Sequence, residues 1–259
     1  MKKAASILTG LLFLAASALY AQSGSANGFS YAVNPDNTNT ITITGYTGSA
    51  SVVTIPSAIN NLLVTGIGDN AFGNLGNLAG VTIPAGVTSI GDFAFNYCNG
   101  LTNIVIPDGV ASIGGGAFLQ CSALPNVVIP GSVTNIGEDA FDGCGGLTNV
   151  TLSNGLASIG DDAFYDCNNL VTAALPESVE SIGSDAFYGC NDLLSMTIPS
   201  SVTSLENNTF AFCAALTNVS LPGGLTSIGE DAFYDCSGLR ACLKTQNSTN
   251  KISIFVCTM

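Results

Sequence analysis

Residues 101–121 read Leu101-Thr-Asn-Ile-Val-Ile-Pro-Asp-Gly-Val-Ala-Ser-Ile-Gly-Gly-Gly-Ala-Phe-Leu-Gln-Cys121, and variants of this stretch recur every 23 residues along most of the chain. A leucine opens each repeat, and a phenylalanine and a cysteine keep the same period. A fixed period of this length indicates a repeat architecture in which stacked units share one core. The three columns are Leu78, Leu101, Leu124, Leu147, Leu170, Leu193, Leu216 and Leu239; Phe72, Phe95, Phe118, Phe141, Phe164, Phe187, Phe210 and Phe233; and Cys98, Cys121, Cys144, Cys167, Cys190, Cys213 and Cys236.

Each repeat has a pattern that can be interpreted physically. Ile104 and Ile106 alternate as in a short strand, and Pro107 ends it because proline cannot donate to a β-ladder. A second short extended edge follows at residues 110–113. The apolar residues of 117–124 then fall on one side of about two helical turns. The sequence therefore predicts a β-rich solenoid, with one short parallel strand, a second extended edge and a short helical turn in each 23-residue coil.

The composition excludes several classes of function. The chain has 259 residues, of which 47% are hydrophobic and 9% charged, with 18 acidic residues, 5 basic residues and no histidine. Without histidine there is no Ser/His/Asp or Cys/His relay and no imidazole metal ligand. Because no lysine or arginine lies between residues 4 and 239, the sequence predicts no binding to nucleic acid or to anionic membranes.

The repeat matches a known pattern. Its Ile-Pro, Ile-Gly and Ala-Phe-x-x-Cys elements at fixed spacing resemble the leucine-rich repeats of the Treponema type, as found in BspA-like bacterial surface proteins, over about residues 50 to 239. The resemblance implies a leucine-rich repeat solenoid that is arc-shaped and sits at or beyond the cell surface. It also implies a binding surface, which in some members contacts host matrix proteins or other cells.

The N-terminal segment has the features of a leader. Lys2 and Lys3 precede an apolar run that ends in small residues, which is typical of a secretory signal peptide over residues 1–21. No later segment is long and apolar enough to span a bilayer. We therefore expect a secreted or cell-surface bacterial protein without an integral membrane segment after signal cleavage.

The remaining chain divides into three parts. Residues 22–49 predict an N-terminal β-hairpin cap, with two short strands around the turn that begins at Asn34. Residues 50–239 predict the solenoid, which has an irregular first coil and then seven regular 23-residue repeats from Leu78. Residues 240–259 are either a native C-terminal cap or tail, or the end of a truncated or frame-shifted gene.

The cysteines favour free thiols over disulfides. Seven of the nine occupy one position of the repeat. Equivalent Cβ atoms in stacked coils lie about 4.8 Å apart, whereas a disulfide needs about 3.8 Å, so we expect buried thiols that pack as small apolar groups. A spacing of 23 residues with no histidine also argues against zinc. Cys242 and Cys257 lie outside the column, and a disulfide between them would close the C-terminal tail.

Acidic residues also recur with the period, just after the glycine of each repeat. One interpretation is a solvated edge that keeps a poorly charged protein soluble. The other is weak calcium binding between neighbouring coils, since Ca²⁺ prefers carboxylate and carbonyl oxygens; no further cofactor is predicted. The candidate calcium ligands are Glu138, Asp139, Asp161, Asp162, Asp185, Glu230 and Asp231.

The acidic residues do not indicate catalysis. A glycoside hydrolase needs two carboxyl groups placed across a substrate, and such a pair should break the period of the repeat. Asp161 and Asp162 are instead adjacent and recur from coil to coil. The sequence therefore predicts no catalytic residue and no enzymatic activity.

Candidate binding residues come from apolar and aromatic side chains that add to the repeat. Tyr165, Tyr188 and Tyr234 each follow a phenylalanine of the core column, where they either contact a partner or cover the edge of the helical layer. Leu194 and Phe212 lie in the least regular repeat, whose irregularity is explained either by a binding role or by drift.

Two hypotheses of function follow. The first is a binding or adhesion module for a protein or glycan ligand on host or microbial surfaces, with an oligomeric state that the sequence does not specify. The second is a structural component that self-associates in a cell-surface layer or extracellular matrix. Concentration-dependent assembly would favour the second hypothesis.

Overall fold

Each repeat contributes two short strands, because its apolar residues alternate over two stretches that proline or glycine ends. The computed structural model describes residues 23–239, and within this range it contains 20 strands and no helix. Equivalent strands pair in parallel with a register of one repeat, as in Asn149↔Thr172 and Ser158↔Ser181. The predicted β-rich solenoid is confirmed.

The strands form three groups. The N-terminal strands are β1 (Ser23–Ala26), β2 (Phe29–Val33) and β3 (Thr40–Tyr46). The first strands of the coils are β4 (Val52–Thr54), β7 (Gly80–Thr82), β9 (Asn103–Val105), β11 (Asn126–Ile129), β13 (Asn149–Leu152), β15 (Thr172–Ala174), β17 (Ser195–Thr197) and β19 (Asn218–Ser220). The second strands are β6 (Leu62–Ile67), β8 (Ser89–Ile90), β10 (Ser112–Ile113), β12 (Asn135–Ile136), β14 (Ser158–Ile159), β16 (Ser181–Ile182), β18 (Ser204–Leu205) and β20 (Ser227–Ile228), and β5 (Ala58–Ile59) precedes the first of them.

The N-terminal strands extend one sheet of the solenoid. β2 and β3 pair antiparallel, and β3 pairs in parallel with β6, so the hairpin continues the sheet of second strands. The rings of Phe29 and Tyr46 lie 6.4 and 5.7 Å from that of Phe72, which is the first ring of the phenylalanine column. The hairpin thus contributes aromatic surface to the start of the solenoid core.

The irregular first coil contains a small hairpin of its own. Five extra residues separate Ile55 from Val64, relative to the spacing of Ile83 and Val87 in the next coil. They allow β5 to pair antiparallel with the beginning of β6. The turn falls at residues 60–61, where both asparagines have positive φ angles of 51° and 67°, a conformation that asparagine tolerates better than most residues.

The predicted helical turn is wrong: the segment after each second strand, which we call the turn segment, is a series of turns. In a helix the N–H of Phe118 would bond within its own coil, but it donates to the carbonyl oxygen of Ala140 in the next coil at 2.8 Å. Gly116 and Gln120 have φ angles of 57° and 60°, which no right-handed helix contains. The turn segments therefore form a third backbone ladder along the solenoid.

The core is built around one column of rings. All the phenylalanines of the column are buried, and each stacks on the next with centroids 5.1 to 5.5 Å apart. The coil spacing sets this distance, because equivalent residues follow one another by a single turn of the solenoid. Offset, nearly parallel rings at this separation stabilise the fold by more than the burial of their apolar surface alone.

The seven cysteines of the repeat are free and buried beside the rings. Each Sγ–H donates to the carbonyl oxygen of the phenylalanine in the preceding coil, as Cys144 does to Phe118 at 3.2 Å. Burial raises the pKa of Cys98 to about 11 and that of Cys144 to about 12, so these thiols stay protonated. Cys242 and Cys257, the tail 240–259 and the predicted signal peptide 1–21 lie outside the described residues, so their predicted roles remain predictions.

A glycine follows the second strand in most coils, where a close approach between coils favours it. A Cβ atom at Gly137 would lie 2.6 Å from the backbone carbon of Gly114, and one at Gly160 would lie 2.7 Å from that of Gly137. Neither glycine has a positive φ, so the reason for the residue is space and not backbone conformation. Glycine fits this close approach in seven of the eight coils, and Glu206 takes its place in the coil that begins at Leu193.

Both sheets of strands are interrupted. The sheet of first strands is interrupted between β9 and β11. Pro125 stands there and has no N–H, whereas the N–H of the equivalent Thr102 donates to the Ala79 carbonyl oxygen of the preceding coil at 3.0 Å. At the coil that begins at Leu193 the breaks coincide, since β15 does not pair with β17 and β16 does not pair with β18. The turn segments stay paired there, with the Phe187 N–H donating to the Thr209 carbonyl oxygen at 2.9 Å.

Candidate binding surface

Four aromatic side chains form a continuous row on the turn segments of four successive coils. The ring centroids are 4.6 Å apart between Tyr165 and Tyr188, 5.0 Å between Tyr188 and Phe212, and 5.3 Å between Phe212 and Tyr234. We call these four residues the aromatic row. The sequence predicted each of them as a candidate without indicating that they touch.

The repeat explains how three members of the row are placed. Tyr165, Tyr188 and Tyr234 each follow a buried phenylalanine, so their side chains point away from the core. Tyr234 is 56% exposed, while Tyr165 and Tyr188 are half-buried against their neighbours. The phenylalanine column thereby fixes the spacing of the outer rings.

Phe212 reaches the row from a different position. The place that tyrosine occupies in other coils is held here by Ala211, and Phe212 follows it with a φ of 60°. Its ring is tilted by 53° to Tyr188 and by 71° to Tyr234, so it stacks flat on neither. Phe212 thus completes the row from a position that has a positive φ in every coil.

Leu194 lies apart from the row. It directly precedes β17, on the strand side of its coil, and is 50% exposed. The backbone N–H of Leu194 donates to the carbonyl oxygen of Val171 at 3.3 Å, in a ladder that equivalent residues of other coils also form. The structure therefore brings four of the five predicted binding residues together and leaves this one elsewhere.

Two exposed aromatic residues were missed by sequence reasoning. Phe93 and Tyr97, on the turn segment of an early coil, are 38% and 46% exposed. Their φ angles are 57° and 54°, at positions where most other coils carry Asp, Asn or Gly. That substitution is the signal that could have found them, because a bulky residue is costly in this conformation.

The acidic columns have roles in the backbone. Residues of the first column accept hydrogen bonds from the next coil, as Asp161 Oδ1 does from the Ser184 N–H at 2.8 Å and Asp92 Oδ1 from the Gly115 N–H at 2.8 Å. The residues of the second column have positive φ angles of 54 to 57°, which aspartate tolerates better than most residues. These residues are Asp139, Asp162, Asp185 and Asp231.

Calcium binding stays a prediction. Glu138 and Asp161 lie in the first acidic column with Glu230, while Asp139, Asp162, Asp185 and Asp231 lie in the second. Within residues 23–239 there is no group of three or more acidic or cysteine side chains close enough to hold a metal ion. The periodicity of the acidic residues therefore has a structural explanation that does not need a ligand.

Like charges accumulate around the aromatic row. Burial raises the pKa of Asp142 to about 6, with contributions from Asp139 and Asp166, and it raises the pKa of Asp162 to about 6, with Asp185 as the largest charged neighbour. Burial also raises the pKa values of Asp139, Asp166 and Asp185. Since no basic residue lies between positions 4 and 239, no side chain of the solenoid compensates these carboxylates.

The fold and its surface define a class of protein. A stack of 23-residue coils with a buried ladder and side chains displayed at a fixed spacing is a leucine-rich repeat solenoid, a class of repeat module that presents extended surfaces for binding proteins. No helix in the described part of the chain has the length and apolar character needed to span a bilayer.

The chain belongs to the family of the BspA type leucine rich repeat region, whose model matches residues 45–171 and 134–256 in six copies. The predicted resemblance to the Treponema-type repeats is confirmed. A comparison with curated protein sequences gives no significant match.

Solved structures show the same fold. A leucine rich repeat protein of Treponema pallidum is 33% identical, with a TM-score of 0.63 over 86% of this chain and 93% of that chain. A leucine rich cell surface protein from Faecalibacterium prausnitzii is 28% identical, with a TM-score of 0.56 over 84% of this chain and 75% of that chain. The pneumococcal vaccine antigen PcpA, 21% identical with a TM-score of 0.57 over 85% of this chain and 69% of that chain, shares the fold alone.

Proposed function

We propose that this protein is a secreted or surface-attached bacterial adhesion module, which binds proteins on host or microbial surfaces and catalyses no reaction. The observation that carries the proposal is the aromatic row. Four touching aromatic side chains on the outside of a rigid stack offer a preformed contact surface. Tyrosine is enriched at protein interfaces because it combines an apolar ring with a hydroxyl group.

The rigidity of the row supports a binding role. The three tyrosines each directly follow a buried residue of the phenylalanine column. The turn segments beneath the row are joined by backbone hydrogen bonds of 2.7 to 2.9 Å, as between Phe212 N and Tyr234 O and between Asp166 N and Tyr188 O. A surface that is already ordered loses little conformational entropy when a partner binds.

Two observations support the proposed location. The first 21 residues are predicted to be a signal peptide, which directs export. One similar structure, from Faecalibacterium prausnitzii, is described as a leucine rich cell surface protein. An exported protein with an exposed aromatic row suits contact with other cells or with extracellular matrix.

The proposal is tested by adhesion of the full chain to immobilised matrix proteins and to whole microbial cells. The double variant Tyr165→Ser/Tyr188→Ser should lose most of the binding, because it removes two adjoining rings of the row. The matched control is Val105→Ser/Val128→Ser, which removes exposed apolar side chains from the first strands. Equal adhesion by the row variant and the unmodified protein would reject the proposal.

The same preparation distinguishes the structural alternative. Light scattering over a range of concentrations should show a monomer or a fixed oligomer that does not grow. Progressive assembly that the Tyr165→Ser/Tyr188→Ser variant abolishes would instead assign the row to contacts between copies of the chain.

A further inference from the structure

The aromatic row is set among carboxylates. The stretch from Asp162 to Asp166 places a carboxylate three residues before and one residue after Tyr165, and the stretch from Asp231 to Asp235 does the same around Tyr234. Asp166 and Asp185 lie close enough to Tyr165 to help burial raise the pKa of its hydroxyl. The exposed surface of the row is therefore both aromatic and strongly negative.

These carboxylates have no counter-charge in the solenoid. All five basic residues of the chain lie outside positions 4–239; they are Lys2, Lys3, Arg240, Lys244 and Lys251. Repulsion among neighbouring aspartates adds to burial in raising the pKa values of Asp142 and Asp162 to about 6. A cation brought to this surface would relieve that repulsion, so charge complementarity selects a positively charged partner.

The orientation of the rings narrows the chemistry further. Tyr165 and Tyr188 are half-buried and parallel within 3°, so each ring covers one face of the other. Phe212 is half-buried and tilted against both neighbours, and Tyr234 is 56% exposed, so the most accessible ring of the row lies at this end. A sugar ring needs a broad open face for stacking, whereas a guanidinium or ammonium group needs only a partial face beside a carboxylate.

We propose that the aromatic row binds an extended lysine- and arginine-rich segment of a partner protein. This inference rests on the proposed function and names the chemistry of the partner at the same site. The basic side chains contact the ring faces of Phe212 and Tyr234 and pair with the surrounding aspartates. A segment of about five residues spans four coils, because an extended chain advances about 3.3 Å per residue.

The test uses fluorescence anisotropy with the full chain and three labelled peptides of equal length, in which arginine, glutamate or serine alternates with glycine. We expect the arginine peptide to bind and the other two to remain free. The variant Phe212→Ser/Tyr234→Ser should weaken this binding about tenfold, as expected for the loss of two cation–π contacts. Affinity should also fall when salt is added, because exposed charges are screened.

A charge-matched pair of variants separates site binding from general attraction. Asp166→Asn/Asp185→Asn removes two charges at the row and keeps residue types that tolerate positive φ. Asp108→Asn/Glu180→Gln removes two exposed charges elsewhere on the solenoid. The row variant should lose most of the affinity and the control should keep it, whereas equal losses in the two would overturn the inference in favour of non-specific attraction.

The outcomes also separate this inference from the proposed function. If the row variants lose adhesion to surfaces but the unmodified protein does not bind the arginine peptide, the partner is not cationic. In that case only the inference of a basic partner segment fails. Binding to immobilised glycans that depends on the same rings would overturn it in favour of a carbohydrate. If adhesion does not depend on the row at all, both proposals fail.

Discussion

The Sγ–H of Cys167 donates a hydrogen bond of 3.2 Å to the carbonyl oxygen of Phe141, which lies in the preceding coil. The N–H of Phe141 meanwhile donates to Ala163 of the next coil at 2.8 Å. The cysteine is therefore a small buried side chain that gives this carbonyl oxygen a second hydrogen bond, beside the one from the Cys144 N–H at 3.1 Å. Free, buried thiols can therefore form a column along the solenoid without a column of disulfides.

The first prediction concerns these thiols. In the native protein no more than two of the nine cysteines should react with a thiol reagent, because the seven of the repeat are fully buried. Denaturation without a reductant should release the remaining seven. The measurement is a thiol titration in buffer and in guanidinium chloride, and fewer than seven additional groups would reveal disulfides in the column.

The second prediction concerns the close approach of coils at Gly137. The Gly137→Ala variant should lower the free energy of unfolding by about 1–3 kcal/mol, because the added Cβ would meet rigid backbone atoms 2.6 Å away. Gly145→Ala is the matched control, since a Cβ there meets nothing within 4 Å. Denaturant unfolding measures both, and similar losses in the two variants would contradict the steric explanation.

The third prediction separates the two interpretations of the acidic column. Asp162 has a φ of 54°, so Asp162→Ala should lower the free energy of unfolding by about 1 kcal/mol while Asp162→Asn should not. Asparagine keeps the tolerance for this conformation and removes a charge that neighbouring aspartates repel.

Calcium provides the control for that experiment. If the column is structural, millimolar calcium should not change the melting temperature of the unmodified protein or that of Asp162→Asn. A rise in the melting temperature of the unmodified protein alone would show that Asp162 is a calcium ligand and would give the column a second role.

The fourth prediction concerns pH. The pKa values of Asp142 and Asp162 are raised to about 6 in the folded protein, above the ordinary 3.8, so between these values the native state holds more protons than the unfolded state. These groups therefore contribute stability below about pH 4, and that contribution is lost as the pH rises to 6. The melting temperature should be higher at pH 4.5 than at pH 7.5, as measured by circular dichroism in dilute buffer.

The control for the pH effect is the variant Asp142→Asn/Asp162→Asn. It should flatten the dependence on pH, because the two groups with the largest resolved shifts among the aspartates can no longer titrate. Added salt at pH 7.5 should raise the melting temperature of the unmodified protein by screening the repulsion. A melting temperature that rises with pH would contradict the prediction.

The sequence predicted the stack and its core because both follow from a period. Stacking one repeat on the next places Phe118 beside Phe141 without further information. The helical turn was mistaken because the spacing of Ala117, Phe118, Cys121 and Leu124 also satisfies a helix. The helix does not form because the N–H of Phe118 donates to Ala140 of the neighbouring coil and not to a carbonyl oxygen of its own coil.

The candidate site was predictable as a set of residues but not as a surface. Tyr165, Tyr188 and Tyr234 stand at one repeat position, so their alignment follows from the period. Phe212 stands one position later, in the column of Tyr97, so the alignment of the tyrosines does not by itself place its ring in the row. The inter-coil bonds of the acidic column were likewise invisible, since they join backbone to side chain across one repeat.

The coincident breaks in the two sheets at Leu193 have a consequence for cooperativity. In a linear array each coil is held by its two neighbours, so the weakest coupling decides where the array separates into independently unfolding blocks. At this boundary the turn segments and the ring stack of Phe187 on Phe210 remain while the strands do not pair. Amide exchange should therefore be faster in residues 193–239 than in the coils before them, and a partner bound across Tyr188 and Phe212 should slow it by holding the two blocks together.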